Sequence, residues 1–546
     1  MKIIYKNMEI NVQTNTTVLE NFKELIEDRS NNIIACKVNN EVKDLNYVLK
    51  ENDEVDLLNT SDRDGARIYT RGLLYIMAKA FNEVYPEMFL TVNYQLSNSM
   101  FCEIDKTETT EEMINKVKIR MREIIDQNLV IKKVRMEKEE AEKFLEKENT
   151  VIGRMQLENK EKENVSFYFC EGYYNYFYGV MPISTGYINL FDIMKYQHGF
   201  LIRYPNKKEP NIIKPYQEGK KLLATLKEYE DIFELLGIPT LDEVNKWIRE
   251  GRSKELILYS EALHEKKISQ IADIIETDRE KRIILIAGPS SSGKTTFAKR
   301  LGIQLRLNGL KPKTISVDNY FVEREETPKD EFGKYNFEAL EAVDLELFNN
   351  HLERLLNGEE IEMPTFDFKD GHKYYTGEKT RLEDDEVLVI EGIHCLNDKL
   401  TPSVPKNQKF KIYISALTVL NIDYYNRIST TDTRIIRRTV RDSQFRGYNA
   451  ERTLSAWYSV SEGEEKNIFP FQEDADVMFN SSLIYEINAL RNYAIPLFSE
   501  IDNKSPEYAE AKRICQFLKY FEPIEIENIP KNSLIQEFLG QGIFDY

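Results

Sequence analysis

Gly288 and Gly293 bracket Pro289-Ser290-Ser291-Ser292, with Lys294, Thr295 and Thr296 directly behind, and this spacing carries the clearest chemistry in the chain. Glycine at both ends lets the backbone curl until successive N–H groups face inward, toward a phosphate chain. Lys294 reaches the β- and γ-phosphates, and the Thr295 hydroxyl is an oxygen ligand of the kind Mg²⁺ takes. The apolar run Ile283–Ala287 precedes the loop, and Phe297, Leu301 and Leu305 follow at helical spacing. A strand therefore feeds a loop that caps a helix, and the helix N-terminus favours anions. Residues 288–296 are expected to hold a nucleoside triphosphate, ATP or GTP, with Mg²⁺.

Two carboxylates stand where such a loop needs them. Lys313–Val317 reads as a second buried strand, and Asp318 follows at once. In a doubly wound sheet, ligands lie beyond the carboxyl ends of the strands, so Asp318 should face the terminal phosphate. There it suits a base for an attacking hydroxyl or a metal-side group; the plain alternative is a helix N-cap. Glu391 closes a third strand, EVLVIEG, in the metal-side position, or is a surface carboxylate at a strand end. Between them, Met363–Tyr375 (MPTFDFKDGHKYY) reads as an aromatic, polar hairpin that could grip a flat base or simply fill core. Arg427, Arg434, Arg437, Arg438, Arg441 and Arg446 occupy 427–446 without one lysine. That choice suits bidentate phosphate grip in a lid, with ion pairing to an acidic surface as the other reading.

The elements that must position these groups need a long chain, and 546 residues suit three or four domains. A hydrophobic share of 41% supports real cores, while a net charge of −18 argues against general nucleic-acid coating. The five cysteines contain no C-x-x-C, so neither a disulfide framework nor a zinc cluster is expected. No leader and no apolar run of membrane-spanning length are visible, so the reading expects a cytoplasmic protein without a membrane partner.

Residues 1–60 alternate short strand-like segments around VLENFKELIED, an order that resembles the ubiquitin-like TGS domain, a β-grasp module. Residues 61–215, opening SDRDGARIYTRGLLYIMAKAFNEVYP, resemble the additional α+β domain beside TGS in threonyl-tRNA synthetases. In that domain two helix histidines and a later Cys–His pair form an editing site. Here Arg71 and Tyr75 stand in the histidine places, no Cys–His pair follows, and His198 is alone, so neither editing nor metal binding is expected. The tyrosines between Tyr173 and Tyr178 read either as a stacking surface or as core, and RNA binding by this half stays open. Residues 216–281 carry helical periodicity and read as a linker, so a chain beginning near Tyr216 should work alone if the linker folds. A tail over 499–546 contains the amphipathic AKRICQFLKYF.

From Arg282 to Phe498 the motifs GPSSSGKTT, VDNYF, NFEALEAVD, PTFDF, VIEGI, RRTVRDSQFRG and ADV occur in the order of the phosphoribulokinase/uridine kinase family, which the chain resembles. The resemblance implies a P-loop NTPase fold, a doubly wound parallel α/β sheet, and a nucleoside kinase of the uridine kinase type. It implies Asp318 as general base, with Lys294, Arg438 and Arg441 as further catalytic groups and Arg446 over the phosphates. Thr295 and Glu391 become the Mg²⁺ residues. Acceptor contacts fall on Asp318, Tyr320, Glu338, Phe366, His372 and Arg441. Several positions depart from the family: Phe366 replaces a base-contacting tyrosine, the histidine is displaced by one residue to His372, Tyr448 replaces a lid arginine, and Glu338 replaces a ribose-holding aspartate. The expected partners are a nucleoside and a nucleoside triphosphate, in a homo-oligomer. A kinase of another sugar or small alcohol and a nucleotide-switched RNA- or ribosome-associated regulator are the alternatives.

Overall fold

The computed structural model describes residues 1–104, 107–147, 153–158, 163–329, 333, 335–367 and 370–545. The first unit is a mixed sheet of β1 (Lys2–Tyr5), β2 (Met8–Asn11), β3 (Ile33–Val38), β4 (Glu41–Lys43) and β5 (Glu54–Asn59), ordered β2-β1-β5-β3-β4. The short helices α1 (Val18–Asn21) and α2 (Lys23–Glu27) cover it with Val18, Phe22 and Ile26. A capping box between Thr17 and Glu20 starts α1 by satisfying amides that the helix leaves unpaired.

The second unit begins with the long helix α3 (Arg63–Val84), followed by β6 (Leu90–Gln95), β7 (Ser99–Ile104), α4 (Glu111–Asp126), β8 (Lys132–Glu137), α5 (Lys138–Lys147), α6 (Met155–Glu158), β9 (Asn164–Cys170), β10 (Tyr173–Asn175), β11 (Asp192–Tyr196) and β12 (Gly199–Arg203). Its sheets run β11-β12-β7-β6 and β10-β9-β8. The tyrosine-rich stretch is core: Tyr173 is buried in the second unit's core, Tyr176 is buried in the larger cluster it shares with the third unit, and Tyr174 and Tyr178 pack partly buried against that larger cluster. Tyr75 is also fully buried, and its hydroxyl donates to the carbonyls of Tyr168 at 3.3 Å and Tyr173 at 3.2 Å. None of these four tyrosines is exposed, so the stretch presents no open stacking platform. The reason is the amphipathic tyrosine itself, whose body fills core while its hydroxyl finds a backbone partner.

Three helices, α7 (Lys220–Leu236), α8 (Leu241–Arg249) and α9 (Ser253–Thr277), lead into the third unit. They do more than link, because their buried faces belong to one core with the sheet that follows. That unit contains β13 (Ile283–Ala287), α10 (Lys294–Leu307), β14 (Lys311–Ser316), α11 (Leu345–Leu356), β15 (Ile361–Asp367), β16 (His372–Thr380), β17 (Glu386–Glu391), β18 (Lys409–Ser415), α12 (Thr430–Arg441), α13 (Ala450–Asn467) and β19 (Val477–Asn480), closing with α14 (Glu486–Ser499), α15 (Tyr508–Leu518) and α16 (Gln536–Leu539). Five strands form an all-parallel sheet ordered β14-β17-β13-β18-β19. Every residue of β13 is buried, the continuous apolar pattern of a strand covered on both faces. β15 and β16 form a separate antiparallel hairpin. No helix among the described residues is long and apolar enough to cross a membrane.

Candidate active site

The loop after β13 takes its shape from two glycines. A Cβ at Gly288 would stand 2.0 Å from the Ile414 carbonyl oxygen on β18, and Gly293 holds φ +86°. Ser291 also sits at positive φ, +59°, uncommon for a residue with a side chain. Such backbone turns its amides inward as an anion nest. The hydroxyls of Ser291 and Ser292 are buried without a hydrogen-bond partner among the described residues. Lys294 folds back, donating to the carbonyls of Gly288 at 3.0 Å and Pro289 at 3.4 Å. Orphaned donors, a cradle that tolerates no Cβ and an ammonium bonded to loop carbonyls fit a polyphosphate.

The expected carboxylates converge on this loop. Thr295 at the start of α10 donates to Glu391 at the end of β17, 3.3 Å away. Burial lifts the Glu391 carboxyl to about 7, with Asp318 adding to the rise and Lys294 opposing it. Asp318 follows β14 in a short 3₁₀ turn, open to solvent on one side and crowded by protein on the other. Burial raises its carboxyl too, against the pull of Lys294 and Arg446. Glu338 is lifted to about 7, first by burial, then by Glu464, with Arg438 opposing. One ammonium thus offsets several carboxylates, and the paired hydroxyl and carboxylate oxygens of Thr295 and Glu391 suit Mg²⁺.

The six arginines divide. Arg438 donates to the Ser290 hydroxyl at 2.8 Å and to Asp442 at 3.3 Å. Arg441 holds Asp442 through Nε at 3.0 Å and a terminal nitrogen at 2.8 Å, and Arg446 approaches the same carboxylate at 3.7 Å. Three arginines therefore share one buried aspartate beside the phosphate loop. Arg434 and Arg437 are instead buried in ion pairs with Glu464 and Glu486, and Arg427 is seated against the second unit, its Nε donating to the Asn93 carbonyl at 3.1 Å. A lid made of all six is not what the fold builds.

Some expected acceptor contacts lie elsewhere. Tyr320 is fully buried beneath the cleft, its hydroxyl paired with His351 Nδ1 at 3.1 Å, because its ring completes the apolar core of β15 and α11. Phe366 is also buried, edge-on to Phe321 at 5.6 Å between centroids. His372 is exposed at the start of β16 and paired with Glu323 at 2.7 Å. The second phenylalanine of the FDF element, Phe368, lies outside the described residues.

Three participants were missed from sequence. Glu464 accepts the Ser290 N–H at 2.9 Å and stands in α13, within an ordinary-looking charged run, GEEK. Asp442 lies inside the quoted arginine motif, and its charge opposite to every neighbour was the available signal. Glu537, from the tail helix α16, accepts the Thr296 hydroxyl at 2.7 Å and backbone N–H at 3.2 Å.

Residues 283–487 match the phosphoribulokinase/uridine kinase family. A uridine kinase of Halobacterium salinarum is 29% identical over 194 residues, covering 35% of this chain and 77% of that protein. A uridine kinase of Clostridium perfringens is 30% identical over 175 residues, 32% of this chain and 74% of that protein. The N-terminal part is similar to a threonine–tRNA ligase of Clostridium kluyveri, 25% identical over 174 residues, 32% of this chain and 27% of the ligase.

Proposed function

The chain belongs to the phosphoribulokinase/uridine kinase family, and on that footing we propose that it transfers the γ-phosphoryl group of ATP to the 5′-hydroxyl of a nucleoside of the uridine or cytidine type. It is a phosphotransferase, and the family uses ATP and Mg²⁺ in general. The observation carrying the finer reading is that Asp318 and Glu391 stand at the ends of neighbouring strands around Lys294. A nucleotide switch needs only a metal-side carboxylate; a second, raised carboxylate beside the phosphate loop suits a base for an acceptor hydroxyl.

Asp318 would accept the hydroxyl proton as the oxygen attacks. Lys294 would neutralise charge on the transferring group, and Arg438, bonded to Ser290, and Arg441, both held by Asp442, would add to it. Thr295 and Glu391 would hold Mg²⁺, which would supply charge neutralisation for the transferring phosphoryl group. Positioning and electrostatics account for most of such catalysis. Glu338, among the charges of Glu464, Arg438, Asp318 and Lys294, would receive sugar hydroxyls.

A second reading, a kinase of another sugar or small alcohol, draws on Tyr320 and Phe366 being core and His372 being held by Glu323. A screen of ATP consumption by the full chain against nucleosides and phosphosugars separates the two. Turnover with uridine or cytidine supports the first reading, and turnover confined to a sugar or other alcohol sinks it.

A further inference from the structure

Between the second and third units lies a cavity of about 900 Å³, large enough for a nucleotide-sized ligand. It shares Glu464, which accepts the Ser290 N–H, with the phosphate-loop site, while Arg71 and Arg427 belong to this cavity alone. Its walls include Arg71 from α3 and Arg427 from the segment before α12. Most charges on this wall are matched: Arg67 and Arg513 bind Glu510 and Asp432, Lys208 binds Glu462 and Glu465, and Glu464 binds Arg434. Arg71 and Arg427 are different. Arg71 donates to the Val180 carbonyl, and Arg427 to the Asn93 carbonyl and the Met100 sulfur; neither has a carboxylate partner among the described residues.

Guanidinium charge held in a partly dry site without a counter-ion is costly, and the cost shows. Burial drops both arginines to about 10, far below where a guanidinium normally titrates. An anion entering the cavity would supply what the fold omits, and guanidinium is the group best shaped for phosphate. Tyr204 and Trp457 also line this wall, both almost wholly buried, so the cavity presents mainly its cations and its size. Phosphate-matching cations in a cavity of this size describe a phosphorylated small molecule of about nucleotide dimensions.

We propose that this cavity binds a phosphorylated small molecule of mononucleotide size that meets the guanidinium groups of Arg71 and Arg427, as a second site distinct from the phosphate loop. The site goes beyond the kinase reading and does not depend on it. It is also mechanically connected to the cleft. Ser429 and Thr431, at the start of α12, line the cavity, while Arg438, near its other end, bonds Ser290. Twelve residues of helix span about 18 Å, so occupancy at one end bears on the lid arginines at the other.

The test uses the full chain and uridine 5′-monophosphate as probe. The sequence has two tryptophans, so Trp247→Phe leaves Trp457 as the sole reporter. Saturable quenching of Trp457 is expected, retained when Lys294→Ala disables the phosphate loop. Arg71→Leu and Arg427→Leu, checked for native circular dichroism, should each weaken it at least tenfold, and Arg427→Lys less. Should Arg427→Leu fail to fold, Arg71→Leu decides alone. Absence of saturable quenching, its loss in Lys294→Ala, or indifference to the arginine changes would each overturn the assignment. Turnover assayed in parallel reports on the kinase reading independently.

Discussion

Glu537 Oε2 stands 2.7 Å from the Thr296 hydroxyl and 3.2 Å from its amide nitrogen, so a carboxylate from the tail caps the third residue of the phosphate-loop helix. Leu534 of the same segment lies against Gly293, where an added Cβ would meet its side chain at 2.5 Å.

The first prediction follows from that contact. Amides at a helix N-terminus favour one anion, and a phosphate arriving there must contend with a carboxylate already bonded. Glu537→Gln keeps the acceptor oxygen and removes the charge. Nucleoside triphosphate affinity, measured by calorimetry with a non-hydrolysable analogue, is expected to tighten about three- to tenfold. Weaker binding in the variant would show that Glu537 helps hold the nucleotide instead.

Lys294→Ala and Asp318→Asn are expected to fail differently. The lysine meets the triphosphate in the ground state, so both affinity and turnover should fall. Asparagine preserves the shape at 318 but takes no proton. Turnover should drop on the order of 10²–10⁴-fold while analogue binding survives. Near-normal kcat in Asp318→Asn removes its assigned role.

The parts of this site legible in sequence are those set by local pattern. The β13–loop–α10 unit announces itself because apolar run, glycine spacing and helical period lie within 25 residues, and Asp318 and Glu391 follow because strand ends fix where ligands sit. Contacts spanning the chain were illegible. Nothing in the sequence of the tail tells that Glu537 returns to Thr296, 241 residues earlier. Nor does arginine type reveal burial: Arg437 and Arg441 share a helix and a motif, yet one faces Glu486 in the core and the other Asp442 at the cleft.

That difference gives a paired prediction. Arg437 is fully buried, and truncating it leaves the Glu486 carboxylate uncompensated. Arg437→Ala should cost about 3–5 kcal/mol of stability in a denaturant titration. Arg441→Ala should leave stability nearly unchanged and lower kcat by on the order of a hundredfold, with a smaller effect on acceptor KM. A purely structural loss at 441 would place it outside the lid.

Magnesium dependence should carry the signature of Glu391. Its carboxyl is raised to about 7, chiefly by burial, so the folded chain binds this proton more tightly than the unfolded chain does. The stability it contributes is present below its unfolded value and lost as pH rises through about 7, where the buried charge appears. In the proposed role, Mg²⁺ would compensate that charge and would have to displace the proton below it. The apparent Mg²⁺ affinity of the nucleotide-bound chain should therefore fall about tenfold per pH unit below 7. The thermal shift caused by Mg²⁺ and analogue should be larger at pH 8 than at pH 6. Glu391→Gln should flatten both trends, and an unchanged pH profile in that variant would assign the metal to other groups.

A chain starting at Tyr216 should fold less well than its own helices suggest, because the second unit is keyed into the third. Arg67 on α3 makes paired contacts with Glu510 on α15 at 2.7 and 3.1 Å. Tyr176 meets Tyr520 through their hydroxyls, and Asn421 donates to the carbonyls of Val92 at 3.1 Å and Asn93 at 3.0 Å. Removing 1–215 strips all of these and bares Phe517, Tyr520 and Tyr425, which are buried in the intact chain. Exposed aromatic surface on this scale favours association, so lower solubility should accompany a thermal midpoint reduced by at least about 5 °C. A milder probe is Tyr176→Phe, which keeps the ring and removes one buried hydroxyl contact, for a loss of about 1 kcal/mol. Scanning calorimetry of both chains decides the matter: a truncated chain as stable as the whole would show the third unit to be independent, and the contacts across the boundary to be passive.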